Sequence, residues 1–164
     1  MYKKIMVPLD GSKIAECVLP HVHVFVTDCQ VEKIIFVRVI EPISTSFSDI
    51  STSGNPKVYE AIHKNAELIE EERKLAAENY LKEVIHRFKK NRVKYKIEVL
   101  FGKVAERLVD YIDSSSIDLV LIATHGRSGI SRWVRGSVAD KVLRSSKAPV
   151  LMVRAEEKMI EGKI

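Results

Sequence analysis

The chain's 164 residues are enough for one domain of ordinary size and too few for two. Its 46% apolar and 30% charged residues are those of a folded globular domain, which excludes a disordered chain. The formal net charge of +5 is concentrated: residues 125–147 hold Arg127, Arg132, Arg135, Lys141, Arg144 and Lys147 against one acid, Asp140, and the remainder balances. An anion is the partner expected at that stretch.

No apolar run approaches the ~18–20 residues of a membrane span. After Met1-Tyr2-Lys3-Lys4 only Ile5, Met6 and Val7 precede Pro8, too short a run for a signal-peptide core. Cys17 and Cys29 make no disulfide framework; on one helix they would lie ~18 Å apart, beyond disulfide reach. A reduced, cytoplasmic protein is expected.

In chain order, Lys4 to Leu9 reads as a buried strand closed by the turn signal Asp10-Gly11-Ser12. Asp10 or Ser12 can cap the segment that follows. Helical spacing of apolar residues from Ile14 to about Thr27 predicts a helix, with Pro20 as a kink. Lys33 to Ile40 is β-branched and reads as the second strand. Seven of the ten residues 44–53 are Ser or Thr, which predicts a mobile or ligand-gated loop. A long amphipathic helix is predicted over roughly 60–90, with i,i+4 pairs such as Glu78 to Lys82 on its wet side.

Residues 93–100 alternate apolar and polar, the mark of a strand near a sheet edge. Gly102 ends it, and 103–114 reads as a short amphipathic helix. Ile117 to Ala123 is the most continuous apolar strand in the chain. A glycine-spaced loop over 124–136, a helix over about 137–146 and a last strand, Pro149 to Val153, complete the domain, with a charged tail at 155–164. The strict alternation of strand and helix argues for an open parallel sheet with helices on both faces. The apolar character of strands one, two, four and five suits central burial.

In such sheets ligands bind beyond the carboxyl ends of the strands, at a topological switch point. Asp10 closes strand one, Val39 lies near the end of strand two, and Thr124-His125-Gly126-Arg127-Ser128-Gly129 follows strand four. Gly136-Ser137 opens the last helix, where free N–H groups and the helix dipole favour an anion. Asp10 suits a turn or a cap as well as a ligand contact. No Walker A lysine motif and no Gly-x-Gly-x-x-Gly occurs, and Gly126-Arg127-Ser128-Gly129 is one residue short of a nucleophile elbow. Neither a catalytic triad nor a zinc site is expected.

These residues, in this order, resemble the universal stress protein family: Pro8 with Asp10-Gly11-Ser12, ATHGRSG at 123–129, RGSVADKVL at 135–143 and the closing Ala148-Pro149-Val150. The nucleotide-binding branch of that family carries Gly-x-x-Gly, nine residues, then Gly-Ser or Gly-Thr. Gly126, the nine residues 127–135 and Gly136-Ser137 match it, and Ala123 stands where the first glycine would. The resemblance implies a universal stress protein domain over 1–154. It implies a Rossmann-like sheet of the adenine nucleotide α-hydrolase kind, five-stranded in order 3-2-1-4-5. It further implies ATP, with Mg2+, as ligand. Pro8 and Asp10 would line the adenosine side, with Asp10 near the ribose and the metal ion. Val39 would meet adenine through its backbone. Ala123, Thr124, His125, Gly126, Arg127, Ser128 and Gly129 would wrap the phosphates, and Gly136, Ser137 and Val138 would close on them.

A homodimer through Val150 to Val153 and further protein partners are also implied, with no dedicated enzyme activity beyond slow ATP hydrolysis. Nucleic acid is not the expected partner. If the strand end at Ala123 is extended, the extra methyl costs little; if a left-handed turn is needed there, ATP binding is lost. In that second case the chain is a nucleotide-free interaction module of the same fold.

Overall fold

The structure is a computed structural model that describes residues 2–42, 56–88, 92–124 and 137–155. Strands β1 (Lys4–Pro8), β2 (Lys33–Ile40), β3 (Lys94–Phe101), β4 (Leu119–Thr124) and β5 (Val150–Arg154) alternate with helices α1 (Leu19–Asp28), α2 (Pro56–His86), α3 (Val104–Ser114) and α4 (Ser137–Ser145). All neighbouring strands are parallel, in the order β3-β2-β1-β4-β5. The expected sheet and strand order are therefore both present.

Period-two alternation sends successive side chains of each strand to opposite faces, and each face has its own core. Ile5, Val7, Ile34 and Phe36 pack with Val18 and Val22 and with Leu81 and Val84 of α2. Met6, Ile35, Val37 and Val120 pack with Leu108 and Ile112 of α3 and Ala139 and Val142 of α4. Ile5, Met6 and Val7 are wholly buried, as are Ile34, Phe36 and Val37, so β1 and β2 form the centre of the sheet.

Two expectations need correction. Pro20 does not kink a helix running from Ile14. Residues Ala15–Val18 form a 3-10 turn, and α1 begins at Leu19 with the proline in its first positions. Proline is favoured there because its missing N–H has no intrahelical partner to lose. The last strand is not central either. Among the described residues β5 is an outer strand bonded only to β4, with Leu151 exposed, because its apolar residues find cover on the sheet faces but no described neighbour along one edge. β3 is the other outer strand, as its alternation predicts. Gly102, at φ +132, ends it in a conformation that side chains resist.

The readings for 44–53, for 125–136 and for the tail beyond Ala155 lie outside the described residues. Among the described residues, no helix is long and apolar enough to cross a membrane.

Candidate functional site

The two halves of the sheet part company at its centre. β1 and β2 stay in register from Lys4↔Lys33 to Pro8↔Val37, and β4 and β5 from Val120↔Val150 to Thr124↔Arg154. β1 and β4 pair only at Ile5↔Leu119 and Met6↔Val120. Beyond Met6 they diverge, and Pro8 has no N–H with which to bridge the gap. A crevice of about 270 Å³ opens at this switch point. Pro8 and Asp10 from the end of β1, Val39 from β2, Ala123 from β4, and Ser137 and Val138 from α4 all line it. These are six of the residues singled out in the sequence, contributed by four separate elements.

The rest of the lining was not anticipated. Val104 and Leu108 of α3, with Val37 and Ile122, form an apolar floor. Their i,i+4 spacing marks α3 as amphipathic but does not say that its apolar face reaches the crevice. Thr124 is the last residue of β4 and is not among the lining residues; its carbonyl accepts the Ala155 N–H at 3.2 Å. His125, Gly126, Arg127, Ser128, Gly129 and Gly136 lie outside the described residues.

The turn after β1 is held from several sides. Leu9 N–H donates to the Val37 carbonyl at 2.8 Å, Ser12 N–H to Asp10 Oδ1 at 2.8 Å, and Ala15 N–H to Ser12 Oγ at 3.0 Å. Asp10 thus uses one carboxylate oxygen to shape its own turn. The turn reading of Asp10 describes this contact, and the same residue also lines the crevice, which is where the ligand reading places it. Gly11 has φ +91, and a Cβ there would stand 3.2 Å from the Arg38 guanidinium. Arg38 lies 5.3 Å from the centre of the Tyr80 ring, a cation–π distance. Tyr80 donates its hydroxyl to Glu16 Oε1 at 3.0 Å, and Arg87 donates to Glu16 Oε2. Burial, reinforced by the Glu16 and Asp10 carboxylates, holds the Tyr80 phenol well above its ordinary range.

On the other side, α4 aims its first turn at the crevice and is pinned to α3. Lys141 donates to Glu106 Oε1 at 3.1 Å and Lys147 to Asp113 Oδ2 at 2.9 Å. Arg144 donates to Asp140 at 2.8 Å within α4. Lys141 and Lys103 beside Glu106 hold its carboxyl below the usual range, the Lys141 hydrogen bond contributing most. Three of the six cations of 125–147 therefore face carboxylates, and the local charge excess read from the sequence is smaller than the count implies.

Ala123 lies inside β4, paired with Val153, and is half-buried. Ser116 is the one described non-glycine residue with positive φ, so the backbone at Ala123 is not left-handed. Among the described residues no three His, Cys, Asp or Glu side chains gather as a metal site.

Comparison with known proteins bears on this arrangement. The model of the universal stress protein family matches residues 1–154. The universal stress protein MJ0577 of Methanocaldococcus jannaschii is 30% identical over 162 residues, covering 94% of this chain and 96% of that protein. The solved structure of MJ0577 superposes with a TM-score of 0.66, at 29% identity over 96% of this chain and 99% of the other. Two more distant structures share the fold. One is a universal stress protein in complex with cAMP, at TM-score 0.56 and 20% identity, covering 93% of this chain and 97% of the other. The other is an Arabidopsis thaliana family protein with AMP bound, at TM-score 0.60 and 12% identity, covering 95% and 94%.

Proposed function

The chain belongs to the universal stress protein family, and from that premise we propose that it binds ATP in the crevice between β1 and β4 and acts as a nucleotide-dependent stress-response module. The observation that carries the reading is the convergence of Pro8, Asp10, Val39, Ala123, Ser137 and Val138 on one 270 Å³ crevice at the switch point. That volume is near the lower end of the ~300–1,000 Å³ typical of ligand pockets. Its apolar floor suits a purine, and the first turn of α4, whose N–H groups have no partner within the helix, turns the positive end of a dipole toward phosphates. The relatives solved with cAMP and AMP support the adenine part of the reading.

Within it, Val39 meets adenine through its backbone and Pro8 walls the nucleoside. Asp10 takes the ribose and, through its second carboxylate oxygen, contributes to holding Mg2+ beside the phosphates. Residues 123–129 wrap the phosphates, and Gly136, Ser137 and Val138 close on them. The departure at Ala123 costs no backbone strain, because the residue sits in an extended strand. Any ATP hydrolysis is slow and secondary to binding. Among the described residues the outer edge of β5 has no partner strand, which supports a homodimer through Val150 to Val153, since an open apolar edge invites a second strand. The free thiols of Cys17 and Cys29 suit the cytoplasm.

Calorimetric titration of the ligand-free protein with ATP, with and without Mg2+ and against GTP, tests the proposal. Saturable ATP binding that disappears in a folded Gly136→Val variant is expected. An inert parent that gains affinity on Ala123→Gly would instead identify a nucleotide-free interaction module.

A further inference from the structure

The amino ends of the strands carry a second feature that the nucleotide reading does not use. Lys4, Lys33 and Lys94 each begin a strand, and register places them side by side: Lys4↔Lys33 and Lys33↔Lys94. Neighbouring strands are ~4.8 Å apart, so the three lysines form a row ~10 Å long. All three line one open groove of about 1370 Å³, together with Lys3 and Arg92. Like charges directly opposite on adjacent strands repel, so this row raises the free energy of the sheet unless an anion lies along it.

The local acids do not neutralise the row. Glu32 pairs with Lys3 at 2.7 Å. Asp118 Oδ2 accepts the backbone N–H groups of Lys3 at 3.0 Å and Lys4 at 2.8 Å. Lys4 Nζ donates to the Ser115 carbonyl at 2.8 Å, and Lys33, Arg92 and Lys94 have no acidic partner among the described residues. Backbone N–H groups of this edge are also committed: Lys33 donates to the Lys3 carbonyl at 3.0 Å and Lys94 to the Glu32 carbonyl at 2.9 Å. The charged donors a ligand meets here are side-chain ammonium and guanidinium groups spread along the groove, with Thr27, Gln30 and Ser116 as neutral polar neighbours and Glu32 and Asp118 at the rim. A spread row favours several linked charges over one small anion.

The geometry points to a binding groove for a short chain of linked phosphates, three or more, laid across β1, β2 and β3. A row this short lets one such chain meet all three ammonium groups. Single-stranded nucleic acid fits less well. It uses aromatic platforms for its bases, and His23 is the one ring among the described lining residues.

Sodium tripolyphosphate titrated into the isotopically labelled full chain at low salt tests this, read by amide chemical shifts. The expected result is saturable binding that moves the signals of Lys4, Lys33 and Lys94 and fades with added salt. Lys33→Glu should weaken it at least ~10-fold, since it removes one charge-assisted contact and adds repulsion. The same variant places a carboxylate between two lysines, so in the absence of anion its Tm should rise by ~1–3 °C. That rise also certifies that it folds. Shifts confined to Ser137 and Val138, or unchanged affinity in Lys33→Glu, would overturn the proposal. So would tighter binding of a twelve-residue oligothymidylate at the same lysines. Failure of ATP to bind the crevice leaves this result untouched, because the two sites lie at opposite ends of the sheet.

Discussion

The carboxyl and amino ends of this sheet are made from the same strands and offer opposite chemistry. At the carboxyl end, β1 and β4 separate after Met6↔Val120, and the gap is floored with valine, leucine and isoleucine. Shape and a helix terminus do the selecting there. At the amino end the strands start together in register, backbone donors are already bonded, and lysines project into an open groove. Charge does the selecting there. A parallel sheet places all its strand starts on one side and all its ends on the other. A substitution in the shared core should therefore harm both ends, and one at a rim should harm only its own.

Phe36→Ala is the largest test. Phe36 is wholly buried midway along β2, with the Phe88 ring at 5.7 Å and the Tyr95 ring at 6.4 Å. Its removal should cost ~3–5 kcal/mol in urea unfolding and weaken ligand binding at both ends together. Gly11→Ala should act on the carboxyl end alone. The left-handed φ and the contact with Arg38 together should cost ~1–2 kcal/mol. ATP affinity should drop with it while tripolyphosphate binding stays unchanged. Ala123→Val keeps the extended backbone and narrows the crevice, so Tm should hold. A ~10-fold loss of ATP affinity by calorimetry is expected, the size of a modest overpacking penalty.

Two titrations refine the carboxyl end further. The Tyr80 phenol is held above its ordinary value of 10.0. The native state therefore keeps that proton longer than the unfolded chain does. Its stabilisation is complete below about pH 10 and is lost as pH rises toward the folded value. Tyr80→Phe should flatten that alkaline decline in unfolding curves. Glu106 is held below its ordinary 4.5, so the stability it adds is present above that pH and lost as acid protonates it. The side chain is about half exposed and its lysine partners are solvated, so Glu106→Gln should shift acid unfolding barely measurably.

Sequence reading reached the fold class because strand–helix alternation survives in the linear pattern, and the resemblance to the universal stress protein family supplied the strand order. It reached Asp10, Val39 and Ser137 because ligands of a parallel sheet meet its strand ends and the helix starts that follow them, whereas Pro8, Ala123 and Val138 came from the family resemblance. Val104 and Leu108 escaped it, since an amphipathic face does not tell what it packs against. The lysine row escaped it for a different reason. Lys4, Lys33 and Lys94 are far apart in the chain and are joined only by register. Residues 87–96 carry six basic and no acidic residues, yet that run vanished when charge was balanced over the whole remainder. The position of Pro20 was misjudged because a proline reads alike as a kink and as a helix start until the preceding turn is known.

The most direct measurement of the central claim is amide chemical-shift mapping of the labelled protein during titration with ATP and Mg2+. Saturable shifts at Asp10, Val39, Ala123, Ser137 and Val138, retained in Lys33→Glu, are the predicted result. Shifts confined to Lys4, Lys33 and Lys94, and abolished by that substitution, would mean that the triphosphate is held by charge at the amino end and that the crevice is not a nucleotide site.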